Sequence, residues 1–375
     1  MRKKILRVLL VGILLYFIWL GVGILRFRIY VVEPDENGSL VELAGVYHIH
    51  TTLSDGKRTP EKVVDVAASS GLDFIILTDH GNPNRKSMAA RGWEKGVLVL
   101  AGSELSVNRG HMTGMGFDAA DDDLPRMAED AAFLITKRKG FTVVAHPYSS
   151  VSWTWGEQFP YSGLEVMDAY SMVRKDFLRS LPFLPSLLVR PGYFLLKSLE
   201  RPERPLRKWD SLSEDLSVFG YFSVDAHFAY RMLFGLFRLH VQLDAPLPSL
   251  FEEAESAVFA ALRKGRFYNA VDGAARPFGF QFEAKSGRTI YPMGSTIPLL
   301  SSLTLRVQAP FFFRTAIRLL RNGGIIAEGE GDALLHTLTE TGVYRVEVFL
   351  KERTPLGRNV PWIVSNPIFV RNELP

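Results

Sequence analysis

Short apolar segments that end in histidine or acidic residues are the feature that most restricts the fold of this 375-residue chain. Six of its eight histidines lie in five short motifs, and two acidic residues have similar surroundings. These residues are His48 and His50 in H-I-H, His80 in T-D-H, His111 in G-H, His146 in A-H-P, Asp225 and His227 in D-A-H, Asp55 in L-S-D-G and Glu104 in A-G-S-E. Imidazoles and carboxylates are the usual protein ligands of zinc, iron and manganese. The pattern therefore predicts a metal site.

The hydrophobic pattern around these motifs predicts an α/β fold. Residues 72–77 and 141–145 are short runs rich in Val, Ile and Phe, which is typical of buried parallel strands. Helical stretches at 60–70 and 124–139 separate such runs, and each is followed by glycine. Alternating strands and helices indicate a parallel α/β sheet or barrel. Polar residues at the carboxyl ends of barrel strands form the sites of such folds, so the motifs are expected to converge on one pocket.

The motifs H-I-H-T, T-D-H, G-S-E, A-H-P and S-V-D-A-H occur in this order, and over about residues 45–272 the chain resembles the PHP (polymerase and histidinol phosphatase) domain. The resemblance implies a distorted (β/α)7 barrel that holds two or three divalent ions, which would be Mn, Zn or Fe. It implies three ligand groups, of which the first two share Glu104: His48, His50, Glu104 and Asp225; Glu104, His111 and His146; and Asp55, His80 and His227. Many relatives have histidine where this chain has Asp55, which leaves the third ion open.

The chemistry of such a site agrees with a hydrolase. Neighbouring divalent ions that share a carboxylate can hold a hydroxide at neutral pH and neutralise charge on a phosphoryl or acyl centre. Glu104, Asp225 and His227 are the predicted catalytic residues. The chain has no cysteine, no G-x-S-x-G elbow and no P-loop motif, which argues against thiol, serine and P-loop enzymes. Arg109 and Tyr148, each beside a motif, are candidate substrate contacts, although a loop charge and a packed ring are the alternatives.

The amino terminus predicts a membrane anchor over residues 1–28. Residues 8–25 form an uncharged run of 18 residues, which as a helix spans about 27 Å, enough for a bilayer core. Basic residues cluster before it, at Arg2, Lys3, Lys4 and Arg7. This asymmetry predicts a single-pass protein with a cytoplasmic amino terminus and an extracytoplasmic catalytic domain. A cleaved signal peptide is the alternative, but no A-x-A-like site follows the run.

The remaining chain divides into three predicted parts. Residues 29–44 form a linker, residues 45–273 form the PHP-type barrel with an insertion at about 171–210, and residues 274–375 form an all-β, sandwich-like domain. The last two parts together resemble the carbaryl-hydrolase-like branch of PHP metallohydrolases. Two segments, 177–197 and 228–240, combine apolar, aromatic and basic residues. They are interpreted as helices on the barrel or as a membrane-facing or lid surface.

The predicted function is hydrolysis of a small-molecule or lipid-head-group phosphoester by a membrane-anchored metalloenzyme. A carboxyl-ester or carbamate hydrolase on the same site is the first alternative, and a non-catalytic, metal-stabilised binding domain is the second. The net charge of +4 and the pI near 9.1 are too modest to indicate nucleic-acid binding. The oligomeric state is not predicted.

Overall fold

The computed structural model describes residues 1–31, 40–119, 122–156, 161–175, 177–310, 314–352 and 354–372. Helix α1 (Arg2–Arg26) is followed by the short strand β1 (Tyr30–Val31). Within the described residues, α1 is the helix that is long and apolar enough to cross a membrane, a property that signal sequences and buried core helices share. Most of its apolar side chains are exposed, and Leu20 is its buried residue. The helix is thus not packed as a core helix.

Strands and helices alternate through the first two thirds of the chain. The strands are β2 (Val41–Ile49), β3 (Phe74–Leu77), β4 (Gly92–Glu94), β5 (Val97–Val107), β6 (Gly110–Met115), β7 (Phe141–Val144), β8 (Gly163–Asp168), β9 (Phe219–Ser223), β10 (Arg238–Leu243) and β11 (Phe267–Ala270). The helices are α2 (Pro60–Ser69), α3 (Arg85–Ala89), α4 (Ala128–Lys137), α5 (Ala169–Lys175), α6 (Phe177–Ser180), the 3-10 helix η1 (Leu181–Phe183), α7 (Ser186–Val189), α8 (Pro191–Ser198), α9 (Glu203–Asp215), α10 (Tyr230–Phe234) and α11 (Phe251–Arg263). The mixed α/β architecture is confirmed.

Strand direction differs from the all-parallel arrangement that the sequence pattern predicts. Strands β2, β3 and β5 are parallel neighbours, and so are β7, β8 and β9. Between these groups β6 runs antiparallel to both β5 and β7. The reason is the connection of two residues, Asn108 and Arg109, because so short a turn can join only antiparallel strands. His111 therefore lies on a strand of a hairpin.

The segment after β9 and strand β10 both lie against β2, the first strand of this region. The backbone N–H groups of Val224 and Ala226 donate to the carbonyls of Tyr47 and His48, at 3.2 and 3.1 Å, and His50 N–H donates to the Ala226 carbonyl at 3.0 Å. Strand β10 pairs with the earlier residues of β2. The segment after β9 thus lies against the end of β2, which brings the D-A-H motif to the H-I-H motif.

The carboxyl-terminal third consists of β12 (Ala275–Arg276), β13 (Gln281–Ser286), β14 (Thr289–Pro292), β15 (Thr296–Pro298), β16 (Thr304–Gln308), β17 (Thr315–Arg321), β18 (Gly324–Glu330), β19 (Ala333–Thr337), β20 (Gly342–Leu350), β21 (Ile363–Ser365) and β22 (Ile368–Arg371). Strands β14, β13, β16 and β19 form one sheet in that order. Strand β12 pairs with β1 in a separate two-stranded sheet. Strand β21 pairs with β11, and through it β15, β17, β18, β20 and β22 continue the sheet of the preceding region. Strands at 303–307, 316–320 and 343–350 are confirmed, whereas the barrel, the sandwich and the boundary at 274 stay predictions.

Candidate metal centre

Strand ends bring the predicted ligands together. His48 lies near the end of β2 and His50 directly follows the strand, and their ring centroids are 5.1 Å apart. The pairing of β2 with β3 shifts register between Tyr47 and Ile49, so the strand is irregular at His48. His48, His146 and Asp225 have positive φ angles of 70°, 25° and 45°. Such backbone conformations cost free energy and cluster at functional sites.

Glu104 lies at the middle of the cluster and is 1% exposed. Its Oε1 lies 2.8 Å from His146 Nε2 and 3.0 Å from His111 Nδ1. Its Oε2 faces three further imidazole nitrogens, His50 Nε2 at 3.1 Å, His48 Nε2 at 3.2 Å and His80 Nδ1 at 3.4 Å. The two oxygens of one carboxylate thus face two different sets of imidazoles. Glu104 thus joins the two sets of imidazoles.

Asp55 gathers a further group at the open side of the cluster. His227 Nε2 lies 3.1 Å from Asp55 Oδ2, and His50 Nδ1 lies 3.3 Å from Asp55 Oδ1. His80 Nε2 is 3.8 Å from Asp55 Oδ2. Asp225 Oδ1 joins the groups, at 3.4 Å from His50 Nε2 and 3.5 Å from His227 Nδ1. The structure therefore brings together all nine residues that the motifs single out.

The donor set fits divalent metal ions. Within the described residues, three groups of side chains each have ligand atoms within 4.8 Å of one another; the group of His48, His50 and Glu104 shares His50 with the group that contains Asp55 and shares Glu104 with the group that contains His111. Three buried atoms of the cluster, His50 Nε2, His111 Nδ1 and Asp225 Oδ1, lie near other members of the cluster but make no hydrogen bond of acceptable geometry among the described residues. Buried polar atoms are costly unless they are bonded, and a metal ion would satisfy them. Nitrogen and carboxylate oxygen suit zinc, iron and manganese.

The electrostatics of the cluster favour positive charge at its centre. Burial lowers the pKa of His50, but bonds to Asp225, Asp55 and Glu104 outweigh burial and raise it to about 10. Burial likewise opposes protonation of His146, yet Glu104 raises its pKa to about 9. Burial would raise the pKa of Glu104, but the surrounding imidazoles, His48 above all, lower it well below its usual value. The negative charge of the carboxylates thus favours a positive charge at the centre of the cluster, and a bound divalent cation would supply it.

Glu165 is a buried carboxylate of the cluster that the motifs do not identify. It lies on β8, is buried, and its Oε1 is 2.6 Å from His48 Nδ1. Its Oε2 accepts the backbone N–H of His146 at 2.7 Å. One carboxylate therefore orients two predicted ligands, since the second nitrogen of a metal-binding histidine commonly bonds to such a group. The available signal was an acidic residue inside the apolar run 163–167.

Asp79 and Asp168 support the same region. Asp79, from the T-D-H motif, accepts the Thr51 backbone N–H at 2.6 Å and the Ser54 hydroxyl at 2.7 Å, which fixes the loop that carries Asp55. Asp168 ends β8, and burial together with the charges of Asp225 and Glu165 raises its pKa to about 7. Asp79 thus holds the loop of a predicted ligand, whereas Asp168 accepts the backbone N–H groups of Tyr170 and Ser171 at the start of α5.

Replacing Glu165 with glutamine is expected to weaken metal binding by about 10- to 100-fold, as is usual for partners of ligating histidines. Glutamine keeps the size of the side chain but removes the charge that holds His48 and the backbone of His146. Competition against a chelator measures the affinity. Glu328→Gln, at an exposed ion pair, is the matched control and should bind metal as the wild type does. Equal affinity for both variants would contradict the role of Glu165.

Arg109 and Tyr148 lie on neighbouring loops. Arg109 Nε donates to Glu129 Oε1 at 2.6 Å, and its Nη1 donates to the Thr154 carbonyl at 3.2 Å. These bonds tie the β5–β6 turn to α4 and to the loop after β7. The Tyr148 ring lies 6.1 Å from the Trp155 ring and has the Arg204 guanidinium 4.2 Å from its centroid. Substrate contact by Arg109 and Tyr148 stays a prediction.

A buried cluster of imidazoles around a bridging carboxylate is the kind of site that metal-dependent hydrolases use. No family model matches the chain. It is 37% identical over 82 residues to the 3′,5′-nucleoside bisphosphate phosphatase of Chromobacterium violaceum, a match covering 20% of this chain and 29% of that protein. It is 31% identical over 98 residues to the 5′-3′ exoribonuclease of Haemophilus influenzae, a match covering 24% and 35%. Each match spans about a third of the relative.

These relatives bear out the resemblance to PHP-type metal-dependent phosphoesterases. The carbaryl-hydrolase-like branch stays a prediction. Among solved structures, a two-domain protein from Bacteroides vulgatus, described as containing a predicted PHP-like metal-dependent phosphoesterase, aligns over 91% of this chain and 99% of its own length. The TM-score is 0.46 and the identity is 15%.

Proposed function

We propose that the chain is a membrane-anchored, extracytoplasmic, metal-dependent phosphoesterase with a di- or trinuclear site. The observation that carries the proposal is the buried Glu104 carboxylate, whose two oxygens face separate sets of imidazoles at 2.8 to 3.4 Å. The phosphatase from Chromobacterium violaceum supports the reaction class. The proposed substrate is a small-molecule or lipid-head-group phosphoester, in keeping with the reaction class and the membrane anchor.

The proposed ligand groups are those of the motifs. His48, His50, Glu104 and Asp225 would hold the first ion; Glu104, His111 and His146 the second; Asp55, His80 and His227 the third. Bound divalent ions would lower the pKa of a coordinated water and neutralise charge on the attacked phosphoryl group. Glu104, Asp225 and His227 are assigned the catalytic role because Glu104 belongs to two groups, and Asp225 and His227 lie where the first and third groups meet. His227, for example, lies 3.5 Å from Asp225 and 3.1 Å from Asp55.

Basic side chains beside the cluster favour an anionic substrate. Helix α9 places Arg204 over the Tyr148 ring and Lys208 4.6 Å from the centroid of the Trp155 ring. Tyr148 follows the A-H-P motif, and the hydroxyl of the next residue, Ser149, lies 3.0 Å from His146 Nδ1. Positive charge beside a metal centre attracts a phosphate group, and aromatic rings can stack on a substrate ring. This rim is where Arg109 and Tyr148 would contact substrate.

Purified protein loaded with Mn, Zn or Fe tests the reaction class. Two or three ions per chain are expected by elemental analysis. Phosphomonoesters, phosphodiesters, aryl esters and carbamates form the substrate panel, and phosphoesters are expected to be hydrolysed fastest. Hydrolysis of aryl esters or carbamates alone would instead favour the acyl hydrolase. Metal binding without any hydrolysis would favour the non-catalytic binding domain.

The proposal includes the topology and the domain organisation. The exposed apolar surface of α1 and the basic residues at its start support a single-pass anchor with a cytoplasmic amino terminus. The backbone hydrogen bonds between 224–226 and 47–50 support closure of seven strands into a PHP-type barrel over residues 45–273. Residues 274–375 are proposed as the sandwich-like domain, and the first 28 residues as the anchor.

A reporter fused after Pro375 tests the orientation. An enzyme that is active only outside the cytoplasm should be active in this fusion, and the protein should stay with membranes in high salt, because α1 holds it by apolar contact. The matched control is a fusion to a chain without residues 1–28, which should lose export. An inactive reporter on the full chain, with the fusion protein still found in the membrane, would place the carboxyl terminus in the cytoplasm and overturn the proposed orientation.

A further inference from the structure

Helix α1 does not stand apart from the rest of the chain. The Tyr16 hydroxyl donates to the Pro182 carbonyl at 2.7 Å, and the Trp19 ring lies 5.7 Å from the Phe183 ring. At Gly23 a Cβ atom would lie 2.5 Å from the Tyr193 hydroxyl, so glycine is what permits this approach. The carboxyl half of α1 therefore packs on η1 and α8.

The position of these contacts along α1 gives their depth. Trp19 precedes Arg26, the last residue of α1, by seven residues, which is about 10 Å of helix. Tyr16 precedes it by ten residues, about 15 Å. Half of a bilayer's hydrocarbon core is also about 15 Å thick. If α1 crosses the bilayer with Arg26 at its edge, η1 lies inside the hydrocarbon region.

The side chains next to η1 are mostly apolar, as contact with the hydrocarbon region of a bilayer requires. Leu178, Leu188 and Val189 are 80%, 92% and 75% exposed, and Leu181 and Leu184 are partly exposed. Residues 177–199 contain no acidic residue. Arg179, 75% exposed and paired with Glu200, is a charged residue among them. An apolar surface of this extent is costly in water and marks a contact with a partner or a membrane. Because it is continuous with the exposed apolar surface of α1, a lipid bilayer is the partner that both surfaces share.

The backbone also suits a medium without water. Pro182 and Pro185 have no N–H group, so they leave no donor unsatisfied. The N–H groups of Leu184, Leu187 and Leu188 donate to carbonyls three residues earlier, at 3.1, 3.0 and 3.3 Å. Local bonding of this kind is what a segment in hydrocarbon requires.

Basic side chains lie on the aromatic rings where the segment meets the end of α1. The Arg190 guanidinium is 4.8 Å from the centroid of the Phe27 ring, one residue beyond α1. Lys197 Nζ is 5.4 Å from the centroid of the Phe183 ring. Arginine and lysine at membrane interfaces extend along apolar surface toward the head groups, so Arg190 marks the level of the interface.

We propose that residues 178–189, here termed the wedge, insert into the same bilayer leaflet as the carboxyl half of α1. The proposal rests on the membrane anchor proposed above. The wedge would give the protein two fixed contacts with the membrane instead of one flexible tether. Helix α9, which carries Arg204 and Lys208, begins within five residues of the end of α8. The rim of the candidate metal centre would then be held close to the head groups.

Single cysteines test the wedge, because the chain contains none of its own. Leu188→Cys, with Val189→Cys as a second variant, is labelled with an environment-sensitive fluorophore in the full chain. The protein is then reconstituted into vesicles of phosphatidylcholine and phosphatidylglycerol. Leu14→Cys, on exposed α1, is the control for the anchor, and Phe133→Cys, exposed on α4, is the control for water. Iodide quenches labels in water, and spin-labelled phosphatidylcholine quenches labels in lipid.

The expected result is loss of iodide quenching and gain of lipid quenching at 188 and 189, as at position 14. The label at position 133 should behave in the opposite way. Lipid quenching at 14 with iodide quenching at 188 and 189 would overturn the wedge and leave the anchor intact. Iodide quenching at all positions would overturn both. Protection of the labels at 188 and 189 from both quenchers would mean that protein, such as a second copy of the chain, covers the surface, which also overturns the proposal.

Discussion

Glu104→Ala is expected to lower hydrolytic activity by more than about 100-fold, because losing a bridging ligand should exceed the 10- to 100-fold cost of losing a partner of a ligand. One carboxylate faces five imidazole nitrogens, so its removal leaves two proposed ions under-coordinated. Glu104→Gln, which keeps the volume of the side chain, is expected to behave in the same way, since an amide is a poor bridge between two cations. The rate on the best substrate of the panel is the measurement.

Metal content distinguishes this loss from simple unfolding. Both Glu104 variants should bind fewer ions per chain than the wild type by elemental analysis, while their circular dichroism stays that of a folded protein. His336→Ala, on β19 in the carboxyl-terminal third, is the matched control and should keep both activity and metal. Wild-type activity in Glu104→Ala would show that the site assignment is wrong.

The nine-residue cluster could be predicted because each motif ends or adjoins a strand. Strand ends of one sheet meet at one edge, so the convergence of most motifs follows without knowledge of long-range packing, whereas Asp55 lies in the loop after β2 that Asp79 holds. Glu165 could not be assigned in the same way. Its role depends on β8 lying beside β7, which places its carboxylate against His48 and the backbone of His146. The pairing of β7 with β8 is a feature of the tertiary structure, and the sequence around Glu165 resembles no motif, so the sequence alone does not indicate its contacts.

The β5–β6 hairpin and the contacts of α1 show a second limit. A run of apolar residues predicts a strand but not its direction, and the hairpin follows from a turn of two residues whose length appears only once both strand ends are known. The segment 177–197 contains enough proline to exclude a long helix, but its contact with Tyr16 and Trp19 depends on how α8 packs. The composition of this segment indicated that it could face a membrane, but it did not indicate that the segment lies beside α1.

Strand β20 shows why exposure is harder to predict than secondary structure. The alternation Tyr-Arg-Val-Glu-Val at 344–348 predicts a strand with a polar face, and β20 is indeed a strand, but all of its residues are buried. Helix α9 covers the polar face. Arg345, 2% exposed, donates to Asp210 on α9 through Nε and Nη2 at 2.6 and 2.8 Å. Its Nη1 donates to Glu347 at 2.7 Å, and Arg201 donates to the same carboxylate.

This buried network predicts a large effect on stability. Asp210→Asn is expected to lower the free energy of unfolding by about 3–5 kcal/mol, because a buried arginine would lose its bidentate carboxylate. Arg318→Ala, which removes the exposed ion pair with Glu328, is the matched control and should cost no more than about 1 kcal/mol. Chemical unfolding of the full chain in detergent measures both. Trp209, 5.3 Å from the Arg345 guanidinium, contributes a local fluorescence signal.

The double variant Asp210→Leu, Arg345→Met tests whether the cost comes from an unpaired charge or from lost packing. Replacing both partners of a buried ion pair by apolar residues of similar size is often neutral or stabilising, whereas removing one partner is not. The double variant should therefore be more stable than Asp210→Asn. If it is less stable, α9 is held on β20 mainly by the shape of the charged side chains. If Asp210→Asn itself unfolds like the wild type, Arg345 does not depend on Asp210, and Glu347 alone is sufficient to balance its charge.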